Sequence, residues 1–284
     1  MRRRRGLNGV YASGVINSLK NERIRRYRRL RKRSFRYKDR KFLVEGIQGV
    51  AQALTYPSKP EAIIVSERGA GALSSYSHLI DGRSIPSFIV DEKVMETLTT
   101  TATPQGVVAV CRFIDIDIRE LLEAGPATIL IANRVRDPGN LGNMVRIADA
   151  AGAGGVIVCS ESVDIYNPKA VRSTAGSIFH VPVTIVGGVS EVIHEVRRAG
   201  YTVFAAEAHD GNNLWEVEWP ERVAILMGNE AWGIPEEEEA LVDGSVRIPI
   251  LGKAESLNVS SAAAVLLYEI DRCRDLRMRG EEDA

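Results

Sequence analysis

Three segments set Gly, Asn, Glu, Ser and Arg side chains immediately after apolar runs: residues 133–152, 226–234 and 248–264. In the first, Asp137-Pro138-Gly139-Asn140-Leu141-Gly142 lies between an expected strand and an expected helix. Free backbone N–H groups and the positive end of a helix dipole suit that place to an anion. Arg146 follows on the same helix, and a guanidinium grips phosphate well; a plain surface arginine is the other reading. In the second, Gly228 and Gly233 let a loop come close to a ligand. Glu230 between them is either a functional carboxylate or a loop ion pair. In the third, Ser256 and Asn258 stand where the chain enters the last helix, a place where both residue types also act as caps.

Other chemistries find less support. His78, His180, His194 and His209 sit in no triad-like setting, so a His-assisted nucleophile is not expected. GxGxxG is absent, and no Gly-Lys-Ser/Thr completes a P-loop. Cys111, Cys159 and Cys273 are far apart with no CxxC or Cys/His cluster, which argues against a zinc site or disulfide framework and fits a reducing cytoplasm. No metal is expected. No run approaches the roughly 18 apolar residues of a membrane span, and no signal-peptide core follows the N-terminal arginines, so the expected location is cytoplasmic.

The formal net charge of zero conceals a division. Residues 1–41 hold 17 Lys or Arg against two acids, and the rest of the chain carries a net −15. Aromatics interleave the cations of residues 23–38, a composition suited to phosphates and unpaired bases. Arg25, Arg28, Arg29, Arg33, Phe35, Arg36 and Lys41 are the RNA-contact candidates.

Elements that would position these groups follow from periodicity. Residues 1–19 read as a flexible basic arm. Residues 20–33 predict a basic helix with Ile24, Tyr27 and Leu30 on one face, and 42–54 a second helix. Strands at 61–65, 87–90 and 106–111 alternate with helices at 70–80 and 92–98. These make residues 20–114 a small α/β RNA-substrate domain, with 115–126 as a linker. Residues 127–284 form a second α/β domain. Its apolar strands at 127–132, 155–159, 181–186, 201–206, 223–227 and 246–248 suit a parallel sheet, with helices at 141–151, 168–178, 189–198 and 258–274. The run Glu236–Glu239 reads as a solvated first helical turn.

Taken in order, the three segments resemble the SpoU/TrmH family of RNA ribose 2′-O-methyltransferases, within the SPOUT superfamily. The first motif matches at Asn133, Asp137 to Gly142, Arg146 and Ala148. The second matches at Gly228-Asn229-Glu230 with Gly233, and the third at Ile248-Pro249 and Glu255 to Ser260. Residues 167–179 resemble the intervening helix, and Phe42 to Gly46 with Thr103 to Val110 resemble the ribosomal-protein-like substrate-binding domain often fused to these enzymes. Trp232 is a bulky residue at a variable position of the second motif.

The resemblance implies a deep trefoil knot, with the third motif's chain passing through the second's loop, and a homodimer packed through the first and last helices of the SPOUT domain. It implies S-adenosyl-L-methionine as cofactor, held by Met227, Gly228, Asn229, Glu230, Ile248, Ile250, Ser256 and Leu257. Arg146, Asn140, Glu230, Ser256 and Asn258 become the catalytic set, and Arg172 joins the RNA contacts. The substrate is expected to be ribosomal RNA ahead of transfer RNA, including 23S RNA in a housekeeping or antibiotic-resistance role. A non-catalytic assembly factor would keep the basic arm and lose the cofactor residues.

Overall fold

A computed structural model describes residues 15–282. Residues 1–14 of the expected arm lie outside the described residues. In chain order the first half holds β1 (Val15–Ile16), α1 (Glu22–Arg29), α2 (Arg33–Asp39), β2 (Lys41–Glu45), α3 (Ile47–Thr55), β3 (Ala62–Ser66), α4 (Glu67–Ala70), α5 (Ser77–Gly82), β4 (Ser87–Val90), α6 (Glu92–Leu98) and β5 (Val107–Arg112). The second holds α7 (Ile118–Glu123), β6 (Thr128–Ala132), α8 (Pro138–Ala150), β7 (Gly155–Cys159), α9 (Pro168–Ser173), β8 (Val183–Val186), α10 (Val189–Arg198), β9 (Thr202–Glu207), β10 (Asn212–Asn213), β11 (Val223–Met227), α11 (Glu236–Glu239), β12 (Gly244–Arg247) and α12 (Val259–Glu282). Among the described residues, no helix is long and apolar enough to cross a membrane.

These elements form two compact units. Among the described residues, one comprises residues 15–114 together with Tyr166–Phe179, and the other the remainder. The first unit thus takes in α9, which the sequence pattern assigns to the second domain. Its sheet runs β1-β4-β3-β5-β2, with β5 antiparallel to both neighbours. Ile24, Tyr27 and Leu30 bury the apolar face of α1 against Phe88, Val94 and Leu98, as the three-residue spacing requires. One expected helix is corrected. Residues 41–45 are a strand and only residues 47–55 are helical. Phe42, Leu43 and Val44 are fully buried in the pairing with β5, and Gly46 breaks the segment at φ 90°, a conformation that favours glycine.

In the second unit seven strands run β10-β12-β9-β11-β6-β7-β8, every pair parallel. β6, β7 and β11 are buried at every residue, as parallel strands covered on both faces must be. The α10 residues Val189, Val192, Ile193 and Val196 seal one side, with Ile129, Ile157 and Leu226 in the same core. The expected linker also differs. Residues 115–126 carry α7, capped by the Asp117 side chain, and Ile118 and Leu121 enter this core. Its charged exterior hid an amphipathic turn. β6, β7 and β8 add in one direction, then the chain crosses to β9 on the far side of β11. Loops at the carboxyl ends of strands beside such a reversal are where ligands bind in open α/β sheets.

Candidate active site

The carboxyl end of β6 leads into the first loop. Asp137 caps α8 by accepting the Asn140 backbone N–H at 3.0 Å, and Pro138 occupies the first turn, where a missing N–H costs nothing. The carboxyl end of β11 leads into the second loop, Gly228 to Gly233, closed by paired backbone hydrogen bonds between Asn229 and Gly233 at 2.9 and 3.1 Å. A Cβ on Gly228 would stand 2.6 Å from the Gly233 backbone, so only glycine fits. The Asn229 side chain ties this loop to the first by donating to the Arg134 carbonyl at 2.9 Å.

One hydrogen-bonded chain joins all three segments. The Glu230 carboxylate accepts the backbone N–H of Arg136 and of Asp137, each at 3.0 Å, and the Asn140 side-chain amide at 3.1 Å. Asn140 Oδ1 accepts the Asn258 amide at 3.0 Å. Asn258 Oδ1 accepts the Ser260 backbone N–H at 3.0 Å and hydroxyl at 2.7 Å, and the Asn143 amide donates to the same Ser260 oxygen at 2.9 Å. Asn258 therefore caps α12 and bridges to α8 at once. Burial opposes ionisation of Glu230, but the donors from Arg136, Asn140 and Asp137 outweigh it and hold the carboxyl below its ordinary range. Glu230 is thus a clamp on the first loop.

Arg146 stands apart from this chain. It lies on α8 three residues beyond Asn143, exposed, with no hydrogen-bond or ion-pair partner among the described residues. Ser256 is exposed as well. A cationic fork left free beside a polar network is poised for an external anion.

Between the second and third loops lies a cavity of about 420 Å³, within the size range of small-molecule sites. Met227, Gly228, Asn229, Glu230, Ile248, Ile250, Ser256 and Leu257 all line it, as does Trp232. Glu207 and His209, at and just past the end of β9, line it too, and sequence reasoning missed both. The Asp210-Gly211 turn signal beyond them marks a loop, but no motif marks either side chain. The expected helical turn at Glu236–Glu239 is present with Glu236 and Glu237 solvated, but Glu238 turns inward. Glu238 is 6% exposed, accepting the Asn133 amide at 2.5 Å and the Arg134 guanidinium at 2.8 Å. That clamp holds Arg134 at φ 56°, a left-handed strain at the mouth of the first loop.

The RNA-contact candidates lie in the first unit and divide by environment. Arg25 and Arg28 are exposed and unpartnered among the described residues. Arg29 and Arg33 lie over the Phe35 and Tyr37 rings at 5.4 and 5.2 Å, leaving both guanidinium groups exposed. Arg36 is corrected: it is 2% exposed and donates to the Leu30 and Arg31 carbonyls at 3.0 and 2.9 Å, closing the α1–α2 turn. Lys41 pairs with Glu61. Arg172 donates to Thr100 Oγ1 at 2.9 Å and pairs with the buried Glu45. Arg36 and Lys41 are committed to the fold, whereas Arg172 stays exposed beside its partners.

Comparison with known proteins places this geometry. Residues 127–268 match the model of the SpoU rRNA Methylase family, and residues 21–109 that of an MRM3-like substrate binding domain. The chain is 32% identical over 255 residues to a 23S rRNA (guanosine(2553)-2′-O)-methyltransferase of Bacillus subtilis, covering 90% of this chain and 98% of that protein. It is 31% identical to a 23S rRNA (uridine(2479)-2′-O)-methyltransferase of Streptomyces viridochromogenes, over 82% of this chain and 83% of that one. An AdoMet-bound rRNA methyltransferase from Sinorhizobium meliloti superposes with a TM-score of 0.80 at 31% identity, covering 91% and 97% of the two chains.

Proposed function

Because the chain belongs to the SpoU rRNA methylase family, we propose that it methylates a ribose 2′-hydroxyl of ribosomal RNA, in the large-subunit RNA, with S-adenosylmethionine as donor. The observation that carries this reading is the Glu230–Asn140–Asn258–Ser260 chain, which locks three loops around a cavity while leaving Arg146 free.

The cavity suits the cofactor: apolar Ile248, Ile250 and Leu257 offer a wall for a purine, and polar groups stand at its other edges. When bound, S-adenosylmethionine supplies an electrophilic methyl group on a sulfonium. The protein's part is alignment and charge control. Arg146 grips the target phosphate and stabilises the alkoxide that develops as the 2′-hydroxyl loses its proton. A guanidinium with a pKa above about 12 serves poorly as a base. Ser256 hydrogen-bonds the target ribose. Asn140, held from both sides by Glu230 and Asn258, fixes the first turn of the helix that carries Arg146.

We also infer a homodimer and the trefoil knot of the family. α8 and α12 pack on one another, and α12 exposes Val265, Leu276 and Met278 beyond that contact, apolar surface that a second copy would cover. The exposed cations of α1 and α2 supply phosphate contacts.

Methyl transfer from labelled S-adenosylmethionine to unmodified ribosomal RNA and, separately, to transfer RNA tests the reading, with ribose-resolved mapping. A single 2′-O-methyl site in large-subunit RNA is expected. Binding of cofactor with transfer only to transfer RNA would overturn the substrate, and failure to bind the cofactor would overturn the enzyme assignment.

A further inference from the structure

We propose that Glu207 binds the ribose hydroxyls of the cofactor's adenosine, an inference that rests on the cofactor reading above. Glu207 is the last residue of β9 and lines the cavity. Its Oε1 is buried without any hydrogen-bond partner, and no described residue donates to Oε2 either. Oε2 lies 3.6 Å from where a Cβ on Gly233 would stand, so the carboxylate sits beside the second loop. Buried acceptors in folded proteins almost always have donors. A carboxylate that the fold leaves unsatisfied in a ligand cavity is a binding-site candidate.

The surroundings supply no compensation. Burial, together with Glu239 and Asp210, pushes the Glu207 carboxyl above its ordinary range, against a smaller opposing effect of His209. The missing partner is therefore a donor from outside the chain. Strand register says which part of the cofactor brings it. Glu207 pairs across the sheet with Arg247, and Ile248 follows directly on that strand. Ile248 begins the apolar wall suited to the purine, so the group beside that wall is the sugar joined to it. Two adjacent hydroxyls match the two oxygens of one carboxylate. An acidic residue that hydrogen-bonds ribose hydroxyls is a recurring device in open α/β sheets that bind nucleotides.

The test is calorimetric binding of S-adenosylhomocysteine, its 2′-deoxyribose counterpart and 5′-methylthioadenosine to the full chain and to Glu207→Ala and Glu207→Gln. Hydrogen bonds to a charged group are worth about 10- to 100-fold in affinity. The unaltered protein is expected to prefer the ribose over the deoxyribose ligand by about that factor, and Glu207→Ala to bind both equally. The alanine variant should lose affinity for 5′-methylthioadenosine as it does for S-adenosylhomocysteine. Thermal melting separates binding from folding: with no ligand, Glu207→Gln is expected to melt at or above the unaltered protein, because the fold leaves the carboxylate unsatisfied. Equal weakening of ribose and deoxyribose ligands, with the discrimination retained, would overturn the proposal. Loss confined to S-adenosylhomocysteine would assign Glu207 to the amino-acid end and overturn it as well. If the unaltered protein binds S-adenosylhomocysteine but shows no preference for the ribose form, this proposal fails alone. If it binds none of the three, the cofactor reading fails with it.

Discussion

The arginines of α1 and α2 and the polar residues of the three loops solve different problems. Arg25, Arg28, Arg29 and Arg33 present charge in parallel on an exposed surface, where each cation can substitute for its neighbour. The loop residues are connected in series: Glu230, Asn140, Asn258 and Ser260 each hold the next. A parallel arrangement degrades gradually and responds to salt. A series arrangement fails at any one link. Under the proposed function, the contrast pairs a tolerant grip on a large polyanion with an intolerant geometry at a single atom.

The sharpest way to break the contrast is Arg146→Ala. It should lower methyl transfer by about 10³-fold, the size seen when one transition-state donor is removed, with cofactor affinity unchanged in a binding titration. A graded loss of a few fold would place Arg146 with the parallel cations. Next is Glu238→Ala, which strands the buried Asn133 amide and leaves the Arg134 guanidinium only its ion pair with Glu161, and should cost about 1–3 kcal/mol in denaturant unfolding. A neutral result would show that the first loop does not depend on that clamp.

Glu230 sharpens the comparison through pH. Its carboxyl is held below its ordinary value, so the folded protein binds that proton less readily than the unfolded chain. The stability it contributes is complete above the ordinary carboxylate range and is lost as pH falls through the depressed value. Melting curves from neutral to acid should show Glu230→Gln with a shallower acid loss than the unaltered protein; parallel curves would count against the clamp. The smallest effect belongs to the surface. Arg25→Ala with Arg28→Ala should weaken RNA binding several fold with turnover unchanged. The slope of log affinity against log salt should become shallower by about 0.7 for each single-strand phosphate no longer neutralised.

Much of this was legible in residue order, because it rests on local signals. The apolar runs at 127–132, 155–159 and 223–227 read directly as strands suited to a parallel sheet. A helix was legible after the Asp137–Gly142 segment, although it begins at Pro138 rather than at residue 141. What escaped depends on partners distant in sequence. Asn133 and Glu238 are 105 residues apart, and nothing in an acidic run says which of four glutamates turns inward. Arg36 looked like its exposed neighbours until the α1–α2 turn folded carbonyls around it. Phe42-Leu43-Val44 is too short a run to distinguish strand from helix without knowing that β5 waits to pair with it. Glu207 belongs to no motif, and only its place at a strand end beside a cavity singles it out.

The passage of Tyr166–Phe179 into the first unit bears on how the chain comes to be made. A ribosome releases the polypeptide from its amino end, and most N-terminal units can complete themselves as soon as their own residues emerge. This one cannot. Tyr166 supplies a ring stacked 3.8 Å from that of Phe113 and a hydroxyl that accepts the Ile114 N–H, and both arrive about fifty residues after β5. The full set of contacts of this unit is therefore available only after β6, α8 and β7 have been synthesised, and no single cut in the chain separates the two units.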